Sequence, residues 1–143
     1  MIPRLLRRAE VIRYWLPALI WSAVLLFLSG RSGAGSMTAR VLQWLLPATS
    51  PMFDPVHFSL RKTLHLLAYG LLGFLDFRAV RGARKGWTLR WSAIAVALAV
   101  IIASLDEWHQ SFVPGRTGTP VDVAIDCAGA TLAQMIIPKM IRD

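Results

Sequence analysis

Four stretches of the chain are apolar almost without interruption: Trp15 to Leu28, Leu60 to Val80, Leu89 to Leu105 and Val121 to Met140. A helix of roughly 20 residues crosses a hydrocarbon core, so each stretch suffices once its flanks are included. Spans are expected at about residues 12–29, 60–80, 88–107 and 120–138. The first is the shortest, and it needs Val11, Ile12 and a snorkelling Arg13 to complete it. Arginines ahead of a short apolar core also describe a secretory signal peptide, with R-S-G-A-G-S suited to cleavage. Trp15, Pro17 and Trp21 fit an anchored span better than a plain signal core.

Between the first two spans runs a longer connection, Gly30 to Ser59. Within it Thr38 is expected to cap a short helix, Val41, Leu42, Leu45 and Leu46 follow helical spacing, and Pro47 ends it. Such a helix lies on the membrane surface. The expected fold is therefore all-α: an integral membrane four-helix bundle in one domain, residues 1–143, with an interfacial helix between spans one and two.

Composition agrees with this pattern. Of 143 residues 55% are hydrophobic and 17% charged, and the net charge is +8. Basic residues gather at the ends of apolar runs rather than along an amphipathic stripe, which argues against nucleic acid and for membrane topology. The N-terminal tail, the loop between spans two and three and the C-terminal tail hold Arg4, Arg7, Arg8, Arg13, Arg78, Arg81, Arg84, Lys85, Arg90, Lys139 and Arg142. The other side holds Arg31, Arg40, Arg61, Lys62 and Arg116. The positive-inside rule then expects both termini in the cytoplasm. The single cysteine, Cys127, excludes a disulfide within the chain and reads as a small hydrophobe.

The polar residues inside the spans share a pattern. Lys62, His65, Tyr69, Gly73 and Asp76 recur at intervals of three and four, which puts them on one helix face within about 80°. Span three runs into Asp106, Glu107, His109 and Gln110, with Asp106 and Gln110 above a stripe of small residues, Ala103, Ala99, Ala95 and Ser92. Span four begins with Asp122 and Asp126, above Gly129 and Ala133. Small residues at a spacing of four let helices approach closely. Antiparallel connectivity brings the three polar sets to one depth at the outward end. Any one such residue can merely stitch helices together; the whole constellation is better explained by a site, because leucine and alanine would pack more simply. Asp76, near the other end beside Arg78, is expected to form an interfacial ion pair.

The turn F-V-P-G-R-T-G-T-P joins spans three and four, with Pro114 and Gly115 setting it, Thr119 as N-cap and Pro120 in the first turn. Arg116 is expected over the mouth of the site, to bind phosphate or carboxylate, to anchor at headgroups, or to clasp Asp106 or Glu107.

At these residues the chain resembles the VanZ-like family. D-E-W-H-Q, P-G-R and D-V-A-I-D-C-A-G look like that family's D-E-x-x-Q, P-x-R and D-x-x-x-N-x-x-G, and R-K-T-L-H-L-L-A-Y looks like its K-x-x-H-x-x-x-Y. Lys62, His65, Tyr69, Asp106, Glu107, Gln110, Arg116, Asp122 and Gly129 occupy matching positions, and the resemblance extends from Trp15 onward. It departs at Asp126, where the family more often has asparagine, and at Ala133, where it often has glycine. The resemblance implies a multi-pass protein of a bacterial inner or plasma membrane, associated with reduced susceptibility to the glycopeptide teicoplanin.

Three functional readings follow. In the first, the ligand site comprises Lys62, His65, Tyr69, Asp106, Glu107, Gln110, Arg116, Asp122 and Asp126, and it binds a membrane lipid, a lipid-linked wall precursor or the antibiotic, without chemistry. In the second, an intramembrane enzyme modifies a lipid or wall precursor, with Asp106 or Glu107 as base or nucleophile and His65 or His109 as acid. A metal variant would use Asp106, His109, Asp122 or Asp126, but no metal-site signature supports it, so neither metal nor cofactor is expected. Transport, the third, would need a homo-oligomer, since four spans leave little room for a pathway.

Overall fold

A computed structural model describes residues 4–29, 34–113 and 119–141. Among them are five helices and no strand: α1 (Arg4–Ser29), α2 (Ala34–Gln43), α3 (Phe53–Arg81), α4 (Leu89–Gln110) and α5 (Pro120–Met140). Four of these, all but α2, are long and apolar enough to cross a membrane. The chain is a membrane helical bundle. Leu19, Phe27, Leu67, Ile101, Met135 and Ile136 are exposed on its outside, while Asp76, Asp106, Glu107, Asp126 and Gln134 are buried. That inversion of the soluble pattern suits a surface solvated by lipid.

Helix starts follow the chemistry of their residues. Thr88 and Thr119 cap α4 and α5, each side-chain oxygen accepting the amide of the third residue on, Trp91 and Asp122, at 3.3 Å. Pro120 occupies the first turn of α5, where its missing N–H costs nothing. Two boundaries differ from expectation. The second span starts seven residues early, because α3 begins at Phe53 with Asp54 in its first turn; at about 43 Å it exceeds the roughly 30 Å hydrocarbon core. Helix α2 begins at Ala34, so Thr38 lies within it rather than capping it. The Thr38 hydroxyl instead meets His57 Nε2 of α3 at 3.0 Å. The helix also stops at Gln43, short of Pro47, in turns through Leu46.

Helix α3 is central and touches every other helix. Its tightest contact is with α5. A Cβ added at Gly129 would run into the carbonyl oxygen of Leu66, and one at Gly73 would lie 2.9 Å from the Cα of Ala130. Against this line α4 sets its small stripe: Ser92, Ala95, Ala99 and Ala103 are all buried, as their spacing predicts. The α5 stripe keeps Asp126 and Gly129 as expected and shifts by one position only below them. Ala130 and Gln134 are buried, Ala133 is half-buried, and Gln134 Nε2 donates to the Gly73 carbonyl at 2.8 Å. The core forms around Tyr69, Leu72, Ala99, Ala103 and Ala130, joined by Trp21 and Leu25 of α1. Helix α1 is otherwise peripheral, held to α3 by the Trp21 indole N–H donating to the Ala68 carbonyl at 2.9 Å.

Glycine substitutions should rank by this geometry. Gly129→Ala forces α3 and α5 apart and is expected to cost about 1–3 kcal/mol. Gly70→Ala, whose Cβ would sit 3.4 Å from the nearest atom, should be close to neutral. Thermal unfolding in micelles measures both; equal melting temperatures would contradict the close contact.

Candidate functional site

The polar residues of α3, α4 and α5 meet at the end of the bundle where α4 finishes and α5 begins. Each helix contributes by register. His65 and Tyr69 are one turn apart on α3, as are Asp106 and Gln110 on α4 and Asp122 and Asp126 on α5, so each pair shares a face.

At the rim, Lys62 Nζ donates to Asp122 Oδ1. One turn deeper, His65 Nδ1 lies 3.2 Å from Asp126 Oδ1. The imidazole is 30% exposed, while the Asp126 carboxylate is fully buried. The rings of His65 and Tyr69 stack with centroids 6.5 Å apart, and the Tyr69 hydroxyl donates to Asp106 Oδ2 at 3.3 Å. Gln110 Nε2 lies 3.3 Å from both Asp106 Oδ2 and Glu107 Oε1, and it also contacts Ser29 Oγ at the end of α1. The other Glu107 oxygen accepts the Thr119 amide at 2.9 Å. Glu107 thus ties the end of α4 to the start of α5.

Among the described residues, four carboxylates here face two cationic or potentially cationic side chains, Lys62 and His65. Two oxygens, Asp106 Oδ1 and Asp126 Oδ2, are buried without a hydrogen-bond partner. Leaving such groups unpaired costs stability, and they are retained most often where a ligand or reaction uses them. Asp106, Glu107 and Asp126 also offer oxygens within 4.8 Å of one another, a spacing that a hard cation could bridge.

Eight of the nine predicted ligand-site residues come together in this way. The ninth, Arg116, lies outside the described residues. His109, considered as an acid and as a metal ligand, is exposed although it lies one turn from the buried Asp106, and among the described residues no hydrogen bond or ion pair joins its side chain to the cluster. Asp76 does not pair with Arg78. It is buried with Oδ2 unpartnered, whereas the Arg78 guanidinium carbon sits 5.8 Å from the Tyr14 ring centroid. Ser29 and the Thr119 amide were not foreseen, because a serine at a span's end and a backbone N–H carry no distinguishing pattern.

These features define an integral membrane bundle with a buried polar site shared by three spans. The VanZ/LLP1 family model matches residues 14–142, and the chain belongs to that family. No curated protein and no solved structure matches.

Losing the Glu107 link should loosen the α4–α5 connection without dispersing the bundle. Glu107→Ala is expected to cost about 1.5–3 kcal/mol, as for hydrogen bonds to a charged group, and to speed protease cleavage between residues 111 and 119. Glu107→Gln keeps an acceptor and should stay near wild type. Equal cleavage rates for wild type and Glu107→Ala would contradict the assignment.

Proposed function

We propose that the chain acts on a membrane lipid or a lipid-linked cell-wall precursor by acid–base chemistry at this site. The site faces outward in a bacterial inner or plasma membrane, with both termini cytoplasmic, as the distribution of lysine and arginine supports. One observation carries the reading: a part-exposed imidazole, His65, backed by a fully buried carboxylate, Asp126. A carboxylate so placed fixes the tautomer and orientation of the ring and stabilises the imidazolium once it forms. His65 takes a proton from an attacking hydroxyl or water and returns it to the leaving oxygen. Lys62 at the rim meets the phosphate of the headgroup. Asp106, held by Tyr69 and Gln110, keeps Oδ1 free for the substrate.

A second reading, binding without chemistry, draws on the commitment of Glu107 to Gln110 and Thr119, which suits a scaffold better than a nucleophile. In that reading the site holds a headgroup or wall precursor, and occupancy lowers teicoplanin susceptibility.

Mass spectrometry of lipids and lipid-linked wall precursors separates the two, using cells with matched membrane levels of wild type, His65→Gln and Asp126→Asn. The acid–base reading expects a species whose mass changes only with wild type, formed about 10²–10⁴-fold more slowly by the variants. Identical spectra throughout, with teicoplanin protection intact in both variants, would overturn it in favour of binding.

A further inference from the structure

The opposite, basic end of the bundle carries a cleft that owes nothing to the polar site. No acidic residue occurs from Phe77 to Leu105, while Arg78, Arg81, Arg84, Lys85 and Arg90 fall in and around the α3–α4 connection. The end of α3 turns at Gly82, whose φ of 59° favours a residue without a side chain. There a cleft of about 520 Å³ opens between α3 and α1, with Tyr14 and Trp15 on one wall and Arg81 and Arg84 on the other.

Aromatic rings hold the guanidinium groups in place. Arg13 and Arg78 both lie against Tyr14, at 5.7 and 5.8 Å from its centroid. Arg81 lies 5.9 Å from the Phe77 ring and Arg84 4.8 Å from that of Trp91. Arg84 is further committed to the end of α3, with Nε donating to the Arg81 carbonyl at 2.7 Å and Nη2 to the Val80 carbonyl. The other three have no such role, and Arg81 Nε is buried without a partner. Among the described residues none of the four is within ion-pair distance of a carboxylate, although Glu10 lines the cleft. These four positive charges at one end of a membrane protein are thus without an ion-pair partner among the described residues.

The adjoining surface of α1 is apolar. Val11 and Trp15 line the cleft, and Leu19 lies one further turn into the membrane on the same face; all three are exposed. A cationic, aromatic-walled recess above an apolar strip matches a headgroup phosphate with acyl chains below it. A soluble anion would have no use for the strip. We infer that the cleft between α1 and the end of α3 binds an acidic phospholipid of the adjacent leaflet, its phosphate against Arg81 on the cleft wall, with Arg78 adding its charge from beside the Tyr14 ring that forms the other wall, and its chains along Val11, Trp15 and Leu19. The bound lipid also fastens the peripheral α1 to α3, and this holds whichever reading of the polar site is correct.

Native mass spectrometry of the full chain released from micelles tests the assignment, with phosphatidylglycerol and phosphatidylcholine of identical acyl chains as probes and glycerol phosphate as soluble competitor. Phosphatidylglycerol is expected to bind at several-fold lower concentration than phosphatidylcholine. Arg78→Gln and Arg81→Gln should each weaken it by about fivefold, the usual share of one basic residue at an anionic surface. Arg61→Gln, at the other end, should leave it unchanged. If the arginine variants fail to fold, Ala83→Glu serves instead: an exposed cleft residue that adds an acid without disturbing packing, and that should also weaken phosphatidylglycerol. Equal affinity for the two lipids, or undiminished preference in the variants, would overturn the site. Competition by glycerol phosphate at the lipid's own concentration would overturn the lipid in favour of a soluble anion.

Discussion

Gly129 lies so close to Leu66 that no side chain fits between α5 and α3, and the polar site depends on that approach. One turn from Gly129 along α5 is Asp126, and one turn from Leu66 along α3 are Lys62 and Tyr69, with His65 adjoining. Bringing the backbones into contact therefore brings the imidazole to the buried carboxylate. In lipid no hydrophobic effect drives helices together, so such contact rests on van der Waals packing and on the polar groups it joins. Small residues and buried polar residues form one device here. The small ones permit the approach, and the polar ones are satisfied only by it.

The third helix completes the arrangement. The alanine stripe of α4 lets Tyr69 lie against Ala99 and Ala103 in the core, and Tyr69 then reaches Asp106 from below. Gln110 gathers Asp106, Glu107 and Ser29 at the top, and Glu107 binds the amide that starts α5. Every helix except α2 thus contributes to the site or its support. Removing one member of a buried charged pair costs about 3–5 kcal/mol because its partner is left behind, so the cluster is demanding to keep. That demand is what favours a use beyond packing.

Much of this was legible in the sequence, and for identifiable reasons. The four spans are long runs, which hydropathy reads well, and the α3 and α4 faces follow helical spacing closely enough that Lys62, His65, Tyr69, Asp106 and Gln110 could be placed together. What escaped depends on tertiary detail. The α5 interface uses Ala130 and Gln134 rather than Ala133, a rotation that spacing alone does not fix. Asp76 and Arg78 are neighbours in the chain, yet they point apart on a helix, and the arginine finds Tyr14 instead. The early starts of α3 and α2 bring Thr38 and His57, 19 residues apart, into contact, which local spacing does not reveal. His109 is exposed although it lies only one turn from the buried Asp106, a difference that spacing does not reveal.

The most direct test is a double-mutant cycle on stability between Gly129→Ala and Asp126→Asn, measured by thermal unfolding in micelles. If the glycine contact is what holds His65 against Asp126, widening the gap already breaks the pair, and adding Asp126→Asn costs less than it does alone. The predicted coupling is about 1 kcal/mol or more. Costs that add to within about 0.3–0.5 kcal/mol would mean that the pair forms without the contact, and would contradict the account.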